Sequence, residues 1–483
     1  MDEADRDVEG VQTKRRVVHR LPVRLRQHWK LLALLVAVAL GLTVAFGQTT
    51  IRPYISGDTT ILTSDITENI TGTVDFFDPD VAHTLTVNIT PAEYNDMMSA
   101  YQNDGEKKWV TADITIDDTF ISDVSVRLKG NSTLASMRSG KDRPRDAPTS
   151  NDAMNMVSAS ADDPTSLPLL ISFDRNAEGR GYQGVTELSV RPGTPIINEA
   201  LALSLTAETG QPTQRYAYAT YTINGQTTTR LILEHPDETY ANALFESDGY
   251  LYKADAGSRM EFVGTDQSEY ANQFKQINSA DNGNLQPIVK FLKWLDGADQ
   301  DEFDTHLSDW FDVQSLARYL ATQHLLANGD DMGGPGQNYY LWYDLETEKL
   351  SVVSWDLNLA MYGDATVGPN EELKIGPPPG DKEAGIPPEE FQALGGRRGP
   401  AHGNPLKTRF LESAKWVQAY NDAYWDIYDE MYGDGKAHTV LDGIAATIPV
   451  TAGLSEQDLA AVVDSMHQWI DDRMAALDDA RAE

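Results

Sequence analysis

The fold turns on the stretch Asn328-Gly329-Asp330-Asp331, followed by Asn338-Tyr339-Tyr340-Leu341 and then Trp355-Asp356-Leu357-Asn358. Ahead of it, Asp312 stands where it can cap a helix whose Leu316, Tyr319, Leu320 and Leu325 recur at three- and four-residue steps. Gly329 is a natural stop, so Asp330 is expected on a loop just past the helix end. Two β-rich runs follow, 338–343 and 349–355, joined by the polar Asp344-Leu345-Glu346-Thr347-Glu348. They read as an antiparallel hairpin. With the turn centred on Glu346 and Thr347, residues whose numbers sum to about 693 face each other. Asn338 then lies beside Trp355 and Asp356, at the end into which the Asp330 loop feeds. Carboxylates and an amide oxygen are hard donors of the type that holds magnesium bridged to phosphates. A further acid nearby can orient or deprotonate a hydroxyl. The plain alternative is an Asp-rich surface turn, common in so acidic a chain.

The chain has 483 residues, a formal charge of −35 and a pI near 4.5. That length can bury a large core divided between two lobes or domains. The acidity argues against nucleic acid as a partner, because nothing offsets phosphate repulsion. It suits a soluble protein exposed to salt or to a charged wall. The absence of cysteine excludes disulfides, thiol nucleophiles and thiolate zinc sites. The 9 histidines include no His-Glu-x-x-His, and most read as ordinary polar or packing residues. At the amino end Lys14, Arg15, Arg16, Arg20, Arg24, Arg26 and Lys30 precede an uncharged apolar run from Leu31 to Gly47. The expectation is a basic cytoplasmic tail over 1–30, one transmembrane helix over 31–47, and the rest outside the cytoplasm. Secretion after signal cleavage, at Ala45-Phe46-Gly47, is the alternative.

Residues 48–75 read as a tether, with a short packed strand as the other possibility. Strands are expected at 84–89, 110–116, 121–129, 167–174, 185–191, 216–223, 228–234 and 249–253, with a helix opening at Pro91 and another over 197–208. On the 121–129 strand, Val124, Val126 and Leu128 face one way; Ser125, Arg127 and Lys129 face the other. Gly130-Asn131-Ser132-Thr133 follows, a loop whose N–H groups and hydroxyls can cradle an anion. Glu199 sits in the first turn of its helix, where the dipole favours a carboxylate and a capping role is the default. Asn224-Gly225 marks a tight hairpin, and Lys253 on the last strand can be a snorkelling surface residue. Residues 134–166 read as a mobile insertion. Beyond residue 260 helices dominate, at 286–295, 303–310, 313–327, 405–413, 415–432 and 455–481, with a long Gly- and Pro-rich segment over 363–404.

A β-rich half, a helical half, and an Asp on each side of a hairpin follow the order of parts in protein kinases. Val126-Arg127-Leu128-Lys129-Gly130-Asn131-Ser132, Leu233-Glu234-His235, Gly249-Tyr250-Leu251-Tyr252-Lys253, Asn404-Pro405-Leu406 and the opening stretch together resemble the spore coat protein H (CotH) kinase family, over roughly residues 76–475. The resemblance implies an α+β, bilobal atypical protein-kinase-like fold, with a β-rich lobe over 76–260 and a helical lobe over 261–483. It implies transfer of the ATP γ-phosphoryl to Ser or Thr of surface or coat proteins, with Mg2+ or Mn2+. Carried over by position, Asp330 resembles the catalytic aspartate, while Asp356 and Asn338 resemble the metal ligands. Arg127, Lys129, Gly130, Asn131 and Ser132 look like a phosphate-facing loop; Lys253 is a further phosphate candidate and Glu234 falls near the adenine. Three departures stand out. The spacing from Asp330 to Asn338 is longer than in ordinary kinases, which leaves Asp331 as a rival to Asp330. Asn358 stands where many relatives have Asp. Leu169-Leu170-Ile171-Ser172-Phe173-Asp174 replaces a Lys-rich strand. The competing expectation is a non-catalytic coat-assembly or adhesion protein on the same scaffold, since ATP is scarce outside a membrane.

Overall fold

The computed structural model describes residues 66–482 apart from 131–132, 135–136, 138–158, 279–282 and 374–402, together with Lys30. Among the described residues no helix is long and apolar enough to cross a membrane. The anchor expected over 31–47 lies outside them, as do Asn131, Ser132 and most of the 134–166 insertion.

Among the described residues from 66 onward, a short strand comes first, β1 (Glu68–Ile70). Next come β2 (His83–Ile89), α1 (Pro91–Asp104), β3 (Val110–Ile116), β4 (Thr119–Leu128), β5 (Leu169–Ser172), β6 (Arg180–Tyr182) and β7 (Glu187–Val190). They lead into α2 (Ile197–Glu208), β8 (Tyr216–Ile223) and β9 (Gln226–Glu234). β1 pairs in parallel with β6. The others close a seven-stranded barrel in the order β2-β3-β4-β5-β7-β9-β8, sealed by a parallel β2–β8 contact. Alternation drives it: Leu85, Val87 and Ile89 of β2, and Val124, Val126 and Leu128 of β4, point into one core while their neighbours point out. The Asn224-Gly225 turn takes positive φ at both positions, 47° and 83°, as a tight hairpin requires.

After α3 (Glu238–Leu244), strands β10 (Gly249–Ala254) and β11 (Phe274–Gln276) precede the helices α4 (Gln286–Gly297), α5 (Gln300–Trp310) and α6 (Val313–Leu325). The hairpin β12 (Tyr339–Asp344) and β13 (Leu350–Ser354) then joins a four-stranded sheet ordered β11-β10-β12-β13. Its register runs from Tyr339–Ser354 to Tyr343–Leu350, every pair summing to 693. The chain ends in α7 (Pro405–Glu412), α8 (Trp416–Tyr432), α9 (Lys436–Thr447) and α10 (Glu456–Ala482). These helices, α2 and the four-stranded sheet share a second core.

Two expectations need correcting. Asp312 does cap α6, accepting from the N–H groups of Gln314 and Ser315, but the helix stops at Leu325 rather than at Gly329. The buried Arg473 of α10 takes the His324 and Leu325 carbonyls, and Ala327 turns the chain with a φ of 48°. Helix α9 was not expected: Gly435 starts it, Gly443 interrupts its pattern, and small residues dilute its apolar period.

Candidate active site

Asp356, separated from β13 by Trp355, takes a left-handed conformation, φ 55° and ψ 62°, which breaks the extended run of the strand. There its Oδ1 accepts from the Arg191 guanidinium at 2.5 Å. The same guanidinium donates to Glu199. Arg191 follows β7 directly and Glu199 lies in the first turn of α2, so strand, helix and hairpin meet at one cation. Glu199 is fully buried and helix α2 has no side-chain cap, so its role is the ion pair rather than capping. Burial outweighs Arg191 and raises the Glu199 carboxyl above its ordinary range. Burial also opposes the charge of Asp356, yet Arg191, Lys129 and Lys253 together hold that carboxyl below its ordinary range.

Lys129 and Lys253 come from opposite directions, one just past β4 and the other on β10. Their ammonium groups lie 5.2 and 4.9 Å from the centre of the Trp355 ring, and that indole fixes both beside Asp356. Lys129 also donates to Ser189 Oγ at 2.7 Å. Burial, then Arg191 and Lys253, pull the Lys129 ammonium down to about 7, against the opposing attraction of Asp356 and Glu199. Lys253 is lowered by burial too. A small apolar group, Tyr240, Leu251, Tyr340, Trp342, Val353 and Trp355, underlies the pair. His235 packs edge-on against Trp355, and burial among these cations keeps it neutral.

Asp330 sits on the loop between α6 and β12. Its Oδ1 accepts from Gly336 N at 2.5 Å and its Oδ2 from Asn338 Nδ2 at 3.1 Å. A Cβ at Gly336 would stand 2.6 Å from Asp330 Oδ2, and one at Gly334 would stand 2.5 Å from the Asp330 Cα. The glycines are thus what let the loop wrap this carboxylate. Asp331 turns the other way: its Oδ2 takes Lys407 Nζ of α7 at 2.5 Å and its Oδ1 the N–H of Gly333 at 2.7 Å. The ion pair with Lys407 holds Asp331 toward α7, whereas Asp330 faces the loop that carries Asn338.

The expected residues therefore fall into groups. Lys129, Lys253 and Asp356 come together. Asp330 and Asn338 form a second pair, and the hairpin register, extended by one step beyond Tyr339–Ser354, sets Asn338 opposite Trp355, the residue before Asp356. Arg127 lies further out, its guanidinium 4.7 Å from the Trp109 ring, and Gly130 has a φ of 94° that suits glycine. Glu234 is held by Arg215 through two hydrogen bonds of 3.0 and 2.8 Å. Arg191 and Glu199 are the residues sequence reasoning missed. Their local pattern, an arginine just after a strand and an acid early in the next helix, is ordinary for each residue by itself.

A polyphosphate and its divalent ion fit this donor set. Three cations surround one carboxylate, and among the described residues its Oδ2 makes no hydrogen bond and the buried Arg191 Nε and Glu199 Oε2 find no partner. The Asn338 side-chain oxygen is a second hard donor, its nitrogen being spent on Asp330. Among the described residues no three His, Asp or Glu side chains gather as a metal site.

Charged residues at strand ends facing an Asp beyond a hairpin, in a mixed α+β chain, are consistent with a kinase-like fold. Residues 194–477, more than half of the sequence, match the CotH kinase protein family, and the chain belongs to it. The family supports a kinase-like function and, in general terms, the use of ATP and a divalent metal. Among solved structures, the Helicobacter pylori proinflammatory kinase CtkA aligns with 66% of this chain and 93% of its own, at 14% identity and a TM-score of 0.31. The Shewanella oneidensis MR-1 toxin–antitoxin complex of HipA, HipB and operator DNA aligns with 62% of this chain and 60% of that one, at 10% identity and a TM-score of 0.29. No curated protein matches.

Proposed function

We propose that this chain is a membrane-anchored, extracytoplasmic protein kinase that transfers the γ-phosphoryl of ATP to Ser or Thr of surface or coat proteins. The bilobal division at residue 260 and the anchor over 31–47 belong to this proposal. One observation carries it: Arg191, Lys129 and Lys253 converge on Asp356 with Glu199 buried behind them. Phosphoryl transfer asks little covalent chemistry of a protein; positioning and charge neutralisation do most of it.

In this reading Asp356 and Asn338 hold the divalent ion, Mg2+ or Mn2+. Lys129 and Lys253, with the Gly130 turn and Arg127 further out, face the phosphates, and Glu234 lies near the adenine. The nucleotide supplies the phosphoryl group and its ion neutralises the charge that develops. Asp330 orients the acceptor hydroxyl and takes its proton. Arg191 keeps Glu199 and Asp356 at a fixed separation.

The non-catalytic alternative has one observation in its favour. Both oxygens of Asp330 and one of Asp356 are already satisfied within the chain. Calorimetry with Mg-ATP decides between the two, since heat is expected for the kinase and none at millimolar nucleotide for a scaffold. Asp356→Ala should lower magnesium-dependent phosphorylation of an acceptor protein by at least about 100-fold. Unchanged turnover removes Asp356 from the mechanism.

A further inference from the structure

Outside the charged cluster, α9 and α10 bring two histidines edge to edge. The ring planes of His438 and His467 lie within 19° of parallel with centroids 4.9 Å apart, and their Nδ1 atoms are 2.6 Å from each other on the facing edges. Behind them, His438 Nε2 lies 3.0 Å from Asp471 Oδ1, and His467 Nε2 lies 3.0 Å from Asp442 Oδ1. The arrangement is reciprocal. Each helix carries a His and, one turn later, an Asp, and each Asp serves the histidine of the other helix.

Proton placement then leaves little choice. An ionised carboxylate only accepts, so each Nε2 must carry its hydrogen. That leaves two Nδ1 lone pairs aimed at each other at contact distance, an arrangement that requires a cation between them. A proton can fill the gap, and so can a metal ion. Two neutral imidazoles and two aspartates sum to −2; a divalent ion cancels that charge and a proton only halves it. The carboxylate–histidine arrangement is also the one by which proteins fix the tautomer of a metal ligand and raise its basicity. Imidazole donors favour zinc and its neighbours over magnesium.

We propose that His438 and His467 form a binding site for a divalent transition-metal ion of the zinc type, with Asp471 and Asp442 as outer partners. An ion at ~2.1 Å from each Nδ1, with a tetrahedral angle at the metal, needs the nitrogens to part by roughly 0.8 Å and the rings to tilt toward it. The side chains are 28% and 27% exposed, so water completes the coordination. The site clamps α10 to α9, and α9 packs against α2, which carries Glu199. It is independent of the kinase reading.

The test titrates the full chain with Zn2+ or Mg2+ and follows the unfolding midpoint. Zn2+ at about 100 times its dissociation constant is expected to raise the midpoint by about 3 °C, and Mg2+ at the same concentration to leave it in place. His438→Gln and His467→Gln should each abolish the rise, whereas Asp356→Asn should keep it, which separates this site from the charged cluster. Co2+ should show the visible absorption of a histidine-bound ion in the native chain and lose it in either histidine variant. A Zn2+ rise that persists in both histidine variants overturns the proposal. So does a native chain with neither a Zn2+ rise nor Co2+ absorption, which would leave the gap to a proton.

Discussion

Lys129 shows how one side chain links stability to binding. Its folded value, about 7, lies below the ordinary 10.5 of a lysine. Between those values the unfolded chain binds more protons than the folded one, so stability rises with pH across that window. Below pH 7 the charged ammonium is a full cost to the fold; above 10.5 the cost is gone. Lys129→Met should therefore raise the thermal midpoint of the nucleotide-free protein, more at pH 6 than at pH 9, while weakening Mg-ATP binding by at least about tenfold. Equal midpoint gains at both pH values would show that Lys129 is not held near 7. Its place in a conspicuous Arg-x-Lys-Gly run made Lys129 legible in the sequence, and Asp356 was legible for a similar reason. Arg191 and Glu199 were not, because each has an ordinary local explanation. A strand-end arginine before Pro-Gly looks like a turn, and an acid in a first helical turn looks like a dipole partner. Only the closure of β7, α2 and β13 on one another makes them a pair.

At the scale of elements, the β12–β13 hairpin could be read to the residue because a short polar turn fixes its register and every later pair follows. The end of α6 could not. Local rules pointed to glycine, whereas the structure uses Arg473, remote in sequence and fully buried. Its guanidinium donates to the carbonyls of Leu325 at 3.2 Å, His324 at 2.9 Å, Ala365 at 3.1 Å and Val367 at 2.5 Å. A cation at a helix C-terminus also opposes the dipole there. Arg473 thus ties the last helix both to the helix that leads toward Asp330 and to the segment after Asp356. Arg473→Met should leave these carbonyls unsatisfied and cost about 4 kcal/mol in urea unfolding. Arg473→Lys should recover less than half of it, because an ammonium cannot fork as a guanidinium does. A loss under about 1 kcal/mol in the Met variant would mean that water replaces the cap.

At the scale of the whole molecule, alternation along β8 and β9 joins the two cores. Ala217, Ala219, Tyr221, Ile223 and Ile232 face the barrel interior, while Tyr218, Leu231 and Leu233 face the helices. Barrel closure itself was not legible in the sequence, since the β2–β8 contact pairs strands more than a hundred residues apart and no local signal announces it. The consequence is energetic. Neither core can lose its packing without stripping one face from strands the other still needs, so the two should unfold together although a chain of this size often does not. Far-UV circular dichroism follows both parts, whereas tryptophan fluorescence follows mainly the helical one through Trp294, Trp310, Trp416, Trp425 and Trp469. The two signals are expected to share one midpoint. Leu231→Ala, which cuts into the shared wall, should move that common midpoint down by about 3 kcal/mol of stability rather than split it. Separate midpoints in the unaltered chain would mean that the barrel and the helices are independent folding units that merely touch along β8 and β9.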